Sequence, residues 1–198
     1  GAHLLLAGGG HSHALVLRRW AMQPKNRPRG LITLVNRHST ALYSGMVPGL
    51  IAGRYSRDEV AIDLRQLADQ AGVALVVAEI TGLDPAARRL QLEQRPDLSY
   101  EWLSLNLGAV TRQASASDSA LVPIKPLEPA LAYLCLQDGD TVDSGAAGSP
   151  FRVVGSGLAA VETVLALRQR WPQRPLELQV HAGHLHPSLR KALQRAGV

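Results

Sequence analysis

The chain has 198 residues, 46% of them hydrophobic and 19% charged. This is a globular composition, enough for one large domain or two small ones, and not a disordered one. The net charge of +5 is spread over short basic pairs (Arg18-Arg19, Arg88-Arg89, Arg190-Lys191) without interleaved aromatics, so a solvated basic surface is expected rather than a nucleic-acid patch. A single cysteine, Cys135, excludes an internal disulfide, a C-x-x-C redox pair and a cysteine zinc cluster. No apolar run is long enough to span a bilayer, and a reducing, cytoplasmic setting is expected.

In chain order, residues 3–7 form a continuous apolar run, the pattern of a parallel strand buried on both faces. Gly8-Gly9-Gly10 then make a turn, and residues 12–21 have helical apolar spacing. A strand that feeds a helix through glycines is an anion site, because the first helical N–H groups lack partners and the dipole is positive there. Gly8 suits the tight turn and Gly10 the close approach of a pyrophosphate, while His13 replaces the third glycine of G-x-G-x-x-G. A loop over residues 23–30 leads to a second strand, 31–35, which completes a βαβ unit of Rossmann length. Where a ribose-binding acid usually follows that strand stand Asn36 and Arg37, an amide able to bond a ribose and a guanidinium able to stack on adenine.

Tyr43-Ser44-Gly45-Met46-Val47-Pro48-Gly49 is broken by glycine and proline and reads either as backbone that approaches a flat ligand or as a short packing helix. A helix is expected over 58–72, stopped by Gly72, and a third strand over 73–77. Residues 79–83 lead to a turn at Asp84-Pro85, a half-buried strand covers 89–93, Pro96-Asp97 marks another turn, and residues 100–108 return to an apolar strand. The stretch therefore reads as an antiparallel insert followed by a strand that rejoins the main sheet. Residues 122–127 are extended, and a helix is expected over 128–137 with Cys135 as a small buried hydrophobe. Residues 138–150, rich in Asp, Gly and Ser, read as a linker.

The opening pattern then recurs. A strand at 151–154, Gly155 and Gly157, a helix from Leu158 and a strand at 176–180 make a second unit, with Ala160 in the third glycine's place. After one more amphipathic segment, 187–195, this unit is left without the further strands that would bury its helix, so the chain is expected to be a fragment.

Gly8-Gly9-Gly10-His11-Ser12-His13, Tyr43 to Gly49, Ser104-Leu105-Asn106-Leu107-Gly108, Ile124-Lys125-Pro126 and Val154-Gly155-Ser156-Gly157 together resemble the pyridine nucleotide–disulfide oxidoreductase superfamily. Within it they are most similar to the NADH-dehydrogenase-like branch and to the FAD/NAD(P)-binding domain fused ahead of selenide, water dikinase. The resemblance covers nearly the whole chain but only about the first half of such a domain. It implies FAD on the first unit. Gly8, Gly10, His11 and Ser12 would lie at its pyrophosphate, Asn36 and Arg37 near ribose and adenine, and Tyr43, Ser44, Gly45, Met46 and Pro48 beside the isoalloxazine. Glu79 or Ile80 would reach the adenine through the backbone, Gly108 would close the pocket, and Lys125 would bring positive charge toward a reduced flavin. NAD or NADP on the second unit would meet Gly155, Gly157 and Leu158, with Glu162 toward the nicotinamide. The family's later flavin-binding stretch, which ends in Gly-Asp, has no counterpart in the chain.

The expected fold is therefore α/β and Rossmann-like, with an FAD-binding domain over 1–137 (insert 78–103), a linker at 138–150 and the start of an NAD(P)-binding domain at 151–198. The expected activity is hydride transfer from a nicotinamide to flavin and on to a small-molecule or carrier acceptor. A non-catalytic nucleotide-binding or regulatory module of a selenide, water dikinase fusion is the alternative. A C-terminal kinase-like domain and a homodimer are the partners considered. The histidine sets His11/His13 and His181/His184/His186 lack helical i, i+4 ligand spacing and a nearby carboxylate, so no metal site is expected, and with no G-x-S-x-G neither is a hydrolase. His181 and Arg190 are candidates to meet a 2′-phosphate, which leaves NAD against NADP open.

Overall fold

The computed structural model describes residues 2–109, 121–142, 149–180 and 185–198, with the side chains of 140–142 outside the description. In chain order the elements are β1 (His3–Ala7), α1 (His11–Met22), β2 (Leu31–Asn36), β3 (Thr40–Leu42), α2 (Val47–Ile51), α3 (Arg57–Val60), β4 (Ala61–Asp63) and α4 (Leu64–Gln70). There follow β5 (Ala74–Val77), β6 (Ile80–Asp84), β7 (Arg89–Leu92), β8 (Arg95–Ser99), β9 (Trp102–Leu105), α5 (Leu127–Val142), β10 (Phe151–Val154), α6 (Leu158–Arg170), β11 (Leu176–Gln179) and α7 (Pro187–Arg195). They fall into two compact units, residues 1–44 with 61–108, and residues 45–60 with 109–198.

In the first unit a parallel sheet runs β5-β2-β1-β9, with His3 opposite Leu31 and Leu4 opposite Trp102. Alternation along the central strands explains their unbroken apolar sequence. Leu6, Ile32 and Leu34 face Leu17 and Trp20 of α1 and Leu64 and Ala68 of α4. Leu5, Ala7 and Val35 face the other way, onto Leu90 and Leu92 of the antiparallel sheet β6-β7-β8. The insert is thus the second cover of the sheet, and β9 rejoins the sheet beside β1 as expected.

Four expectations are corrected. The helix expected over 58–72 is interrupted, because Ala61–Asp63 pairs antiparallel with β3 and Asp63 then caps α4, its carboxylate accepting from Gln66 N at 2.9 Å. Gly72, at φ +65°, ends α4 as expected. The turn expected at Pro96-Asp97 lies at Glu93-Gln94, with Gln94 at φ +54°. Pro96 sits instead in β8, an outer strand where a missing N–H breaks no ladder bond. The helix expected over 128–137 continues to Val142, into the stretch with linker composition, and Asp138 on that extension bonds Arg170 and Trp171. Cys135 is exposed, and the buried residue of that turn is Leu134.

The second unit holds the parallel pair β10–β11, Phe151 opposite Leu176, with α6 between them in sequence. Val161, Val164 and Leu167 of α6 build its core with Ile51, Leu134, Trp171 and Leu193.

Candidate functional site: two glycine turns

At the first turn Gly8 has φ +93° and donates from N–H to the Val35 carbonyl at 2.8 Å. A Cβ on Gly8 would strike the backbone carbonyl of Asn106, one on Gly10 the Asn106 Oδ1, and one on Gly9 the Leu64 methyl. The smallness of these glycines is thus required by the chain's own neighbours. At Gly10 the space expected to admit a pyrophosphate is taken by the Asn106 carboxamide. The sequence pattern assigns Asn106 no role. Its one signal is the polar–apolar alternation of Ser104-Leu105-Asn106 where β9 ends.

What remains for an anion is the helix start. Gly10 caps α1 without a side-chain hydrogen bond, no acid stands in the first turn, and the first helical bond is Ala14 N to Gly10 O at 3.0 Å. The N–H groups of His11 and Ser12 therefore precede the ladder, on exposed residues, and that donor set fits a diphosphate. His13, in the third glycine's place, is 4% exposed. Its Nδ1 lies 2.6 Å from the Gly8 carbonyl and its Nε2 2.8 Å from Ser104 Oγ, and burial holds its pKa below the ordinary histidine value.

Asn36 is tied to the turn. Its Oδ1 accepts from Gly9 N and its Nδ2 donates to His38 O, both at 2.8 Å. Arg37 and Glu79, expected near the adenine, are paired with each other. Arg37 donates from Nε and, at 2.6 Å, from Nη2 to the Glu79 carboxylate, raising the arginine pKa and lowering that of the glutamate. Ile80 opens β6, half-buried. The Tyr43 ring stands 5.1 Å from that of His11, tilted by 40°. Both line a groove of about 440 Å³ with Leu15, Arg18, Ile62 and Leu67. Ser44 is exposed. Gly108 has φ +79°, and a Cβ there would meet nothing within 4 Å among the described residues.

In the second unit Gly45 and Met46 belong to the 3-10 turn Ser44–Met46, and Pro48 opens α2. The flat group against Gly49 is the chain's own Tyr55 ring, 2.5 Å from where a Cβ would stand. Lys125 is exposed and precedes Pro126 through a cis peptide. The second glycine turn repeats the first, with Gly155 N donating to Gln179 O at 2.9 Å. A Cβ on Gly155 would stand 2.9 Å from the Ala160 Cβ, so a small third residue lets helix and strand approach as expected. Among the described residues Gly157 caps α6 without a side-chain bond or a first-turn acid, and a Cβ there would meet nothing within 4 Å. No described residue fills this cradle, and Leu158 and Glu162 are exposed beside it. By contrast, α4 and α7 have their first turns occupied by side-chain acceptors, Asp63 and His186. His181 and His184 lie outside the described residues, and Arg190 is exposed on α7.

No family model and no curated protein matches the chain. Solved structures do. The sulfide:quinone oxidoreductase of the hyperthermophilic bacterium Aquifex aeolicus superposes with a TM-score of 0.75 at 16% identity, covering 100% of this chain and 50% of that one. Putidaredoxin reductase, solved in covalent complex with putidaredoxin, does so at 0.73 and 16%, covering 100% and 49%. The water-forming NADH oxidase of Lactobacillus brevis, solved with NADH, does so at 0.68 and 14%, covering 100% and 46%. The chain spans about half the length of these proteins. Its fold is the Rossmann-type α/β fold that these solved oxidoreductases share.

Proposed function

We propose that the chain is the nucleotide-binding part of an FAD-dependent NAD(P)H oxidoreductase. The observation that carries this is the repetition, within a fold shared with oxidoreductases over the full chain, of a β–glycine turn–α unit whose helix start is capped by no side-chain hydrogen bond among the described residues. FAD, when bound, supplies the hydride-accepting chemistry. This chain's residues bind and orient. The His11 and Ser12 N–H groups, behind Gly8 and Gly10, face the FAD diphosphate. Asn36, Arg37, Glu79 and Ile80 border the adenosine, and Tyr43, Ser44, Gly45, Met46 and Pro48, with Gly108 and Lys125, border the flavin. Gly155, Gly157, Leu158 and Glu162 take NADH or NADPH.

The acceptor in this reading is a small molecule or a carrier protein, and the structure of putidaredoxin reductase with its carrier is a precedent for the second. The motifs from Gly8 to His13 and from Tyr43 to Gly49 support the finer assignment to the NADH-dehydrogenase-like branch and to the domain fused ahead of selenide, water dikinase. A kinase-like domain in the same polypeptide and a homodimer belong to that finer reading.

The experiment is an anaerobic spectral titration of the purified protein with FAD and then NADH or NADPH. Flavin absorbance that bleaches on adding the nicotinamide is expected. Absence of bound flavin would refute the proposal. Binding without bleaching would favour a non-catalytic nucleotide-binding module, a reading suggested by Asn36 and Arg37, whose side chains are engaged with the protein itself.

A further inference from the structure

The Gly8–Gly9 peptide is held from both sides. The Gly8 carbonyl lies 2.6 Å from His13 Nδ1, and the N–H at the other end of the same peptide donates to Asn36 Oδ1 at 2.8 Å. The C=O and N–H of a trans peptide point in opposite directions, so these two contacts fix the rotation of the whole plane. The plane needs fixing. Three successive glycines have the widest choice of φ and ψ in the chain, and ordering them is costly in entropy.

The hydrogen positions in this network follow from chemistry. A carbonyl oxygen can only accept, so His13 Nδ1 carries the proton. Nε2 is then a lone pair, and Ser104 Oγ must donate to it across 2.8 Å. The imidazole is neutral. It is 4% exposed and stands in the first turn of α1, where a cation would oppose the helix dipole. Ser104 lies on β9 and Gly8 follows β1, so the ring also joins the turn to the neighbouring strand.

We propose that His13, as its neutral Nδ1–H tautomer and together with Asn36, is a positioning residue that clamps the Gly8–Gly9 peptide and so aims the His11 and Ser12 N–H groups at a dinucleotide's diphosphate. Histidine here does by hydrogen bonding what a third glycine does elsewhere by close packing. The inference rests on the proposed FAD site.

Two variants separate clamping from packing. His13→Leu keeps apolar bulk but has no donor. His13→Asn keeps an N–H able to reach the Gly8 carbonyl. FAD titration, followed by flavin fluorescence, is expected to show affinity ~tenfold weaker in His13→Leu, the scale of one lost hydrogen bond, and near the parent value in His13→Asn. Imidazole nitrogen resonances of the parent should report the Nδ1–H tautomer. Equal affinities in all three proteins, equal losses in both variants, or the Nε2–H tautomer would overturn the clamp. Should the parent bind no FAD, the FAD reading fails by itself, and exchange of the Gly9 amide decides the clamp. Exchange faster in His13→Leu but not in His13→Asn upholds it, and equal exchange in all three overturns it.

Discussion

Gly8 shows how one position can carry two constraints. Its φ of +93° excludes most L side chains, and a Cβ there would strike the Asn106 carbonyl, which cannot move without shifting β9's end. Gly8→Ala should therefore cost about 2 kcal/mol or more, read as a lower urea midpoint at unchanged slope. Asp138 is the second residue with a sharp expectation. Its carboxylate accepts from Arg170 Nη2 at 2.5 Å and Trp171 Nε1 at 2.7 Å, and the Arg170 hydrogen bond is the larger cause of a pKa held below the ordinary aspartate value. Because the folded value lies below the unfolded one, the stabilisation is complete above the unfolded pKa and is lost as pH falls through the folded one. Denaturation midpoints of the parent should drop on acidification below about pH 4, and those of Asp138→Asn should drop less over the same interval. At neutral pH the same variant should be the less stable of the two, since it weakens the acceptor that Arg170 and Trp171 share.

Elements in this chain end where tertiary partners end them. Leu64, Leu67, Ala68 and Ala71 keep helical spacing, but Val60, Ile62 and Leu64 alternate, and pairing of Ala61–Asp63 with β3 divides the stretch there. Asp63 then starts a new helix by capping Gln66 N. Asp63→Ala should cost about 1 kcal/mol, the usual worth of a helix cap, measured by chemical denaturation. An uninterrupted helix from 57 to 70 would make the same substitution neutral or stabilising, because alanine is the better interior residue. The opposite happens in α5, where the Asp138 contacts with α6 carry the helix past Gln137 into a stretch whose composition is that of a loop.

For the whole molecule, each compact unit has its own core and its own glycine turn. Two different nucleotides should therefore protect two different segments. Hydrogen exchange followed by segment should slow around residues 8–14 on adding FAD and around 155–161 on adding NADH or NADPH. Each ligand should also raise the melting temperature, by mass action worth about 2.7 kcal/mol at a hundred times its Kd. Protection of both segments by a single nucleotide would contradict the assignment of one cofactor to each unit. The βαβ units, the antiparallel insert and the two helix starts were legible without coordinates, because strand and helix periods and glycine turns are local properties of the chain. So was the returning strand at Trp102–Leu105. The Asn106 packing on Gly10, the His13–Gly8–Asn36 clamp, the Arg37–Glu79 pair, the exposed Cys135 and the strand at Pro96 were not. The first three depend on which distant residue arrives: 91 positions separate His13 from Ser104, and 42 separate Arg37 from Glu79. Periodicity shows which face of an element is apolar. Only the packed structure decides which polar atom meets which, because a hydrogen bond is set by a few tenths of an ångström and a direction that no spacing in the sequence encodes.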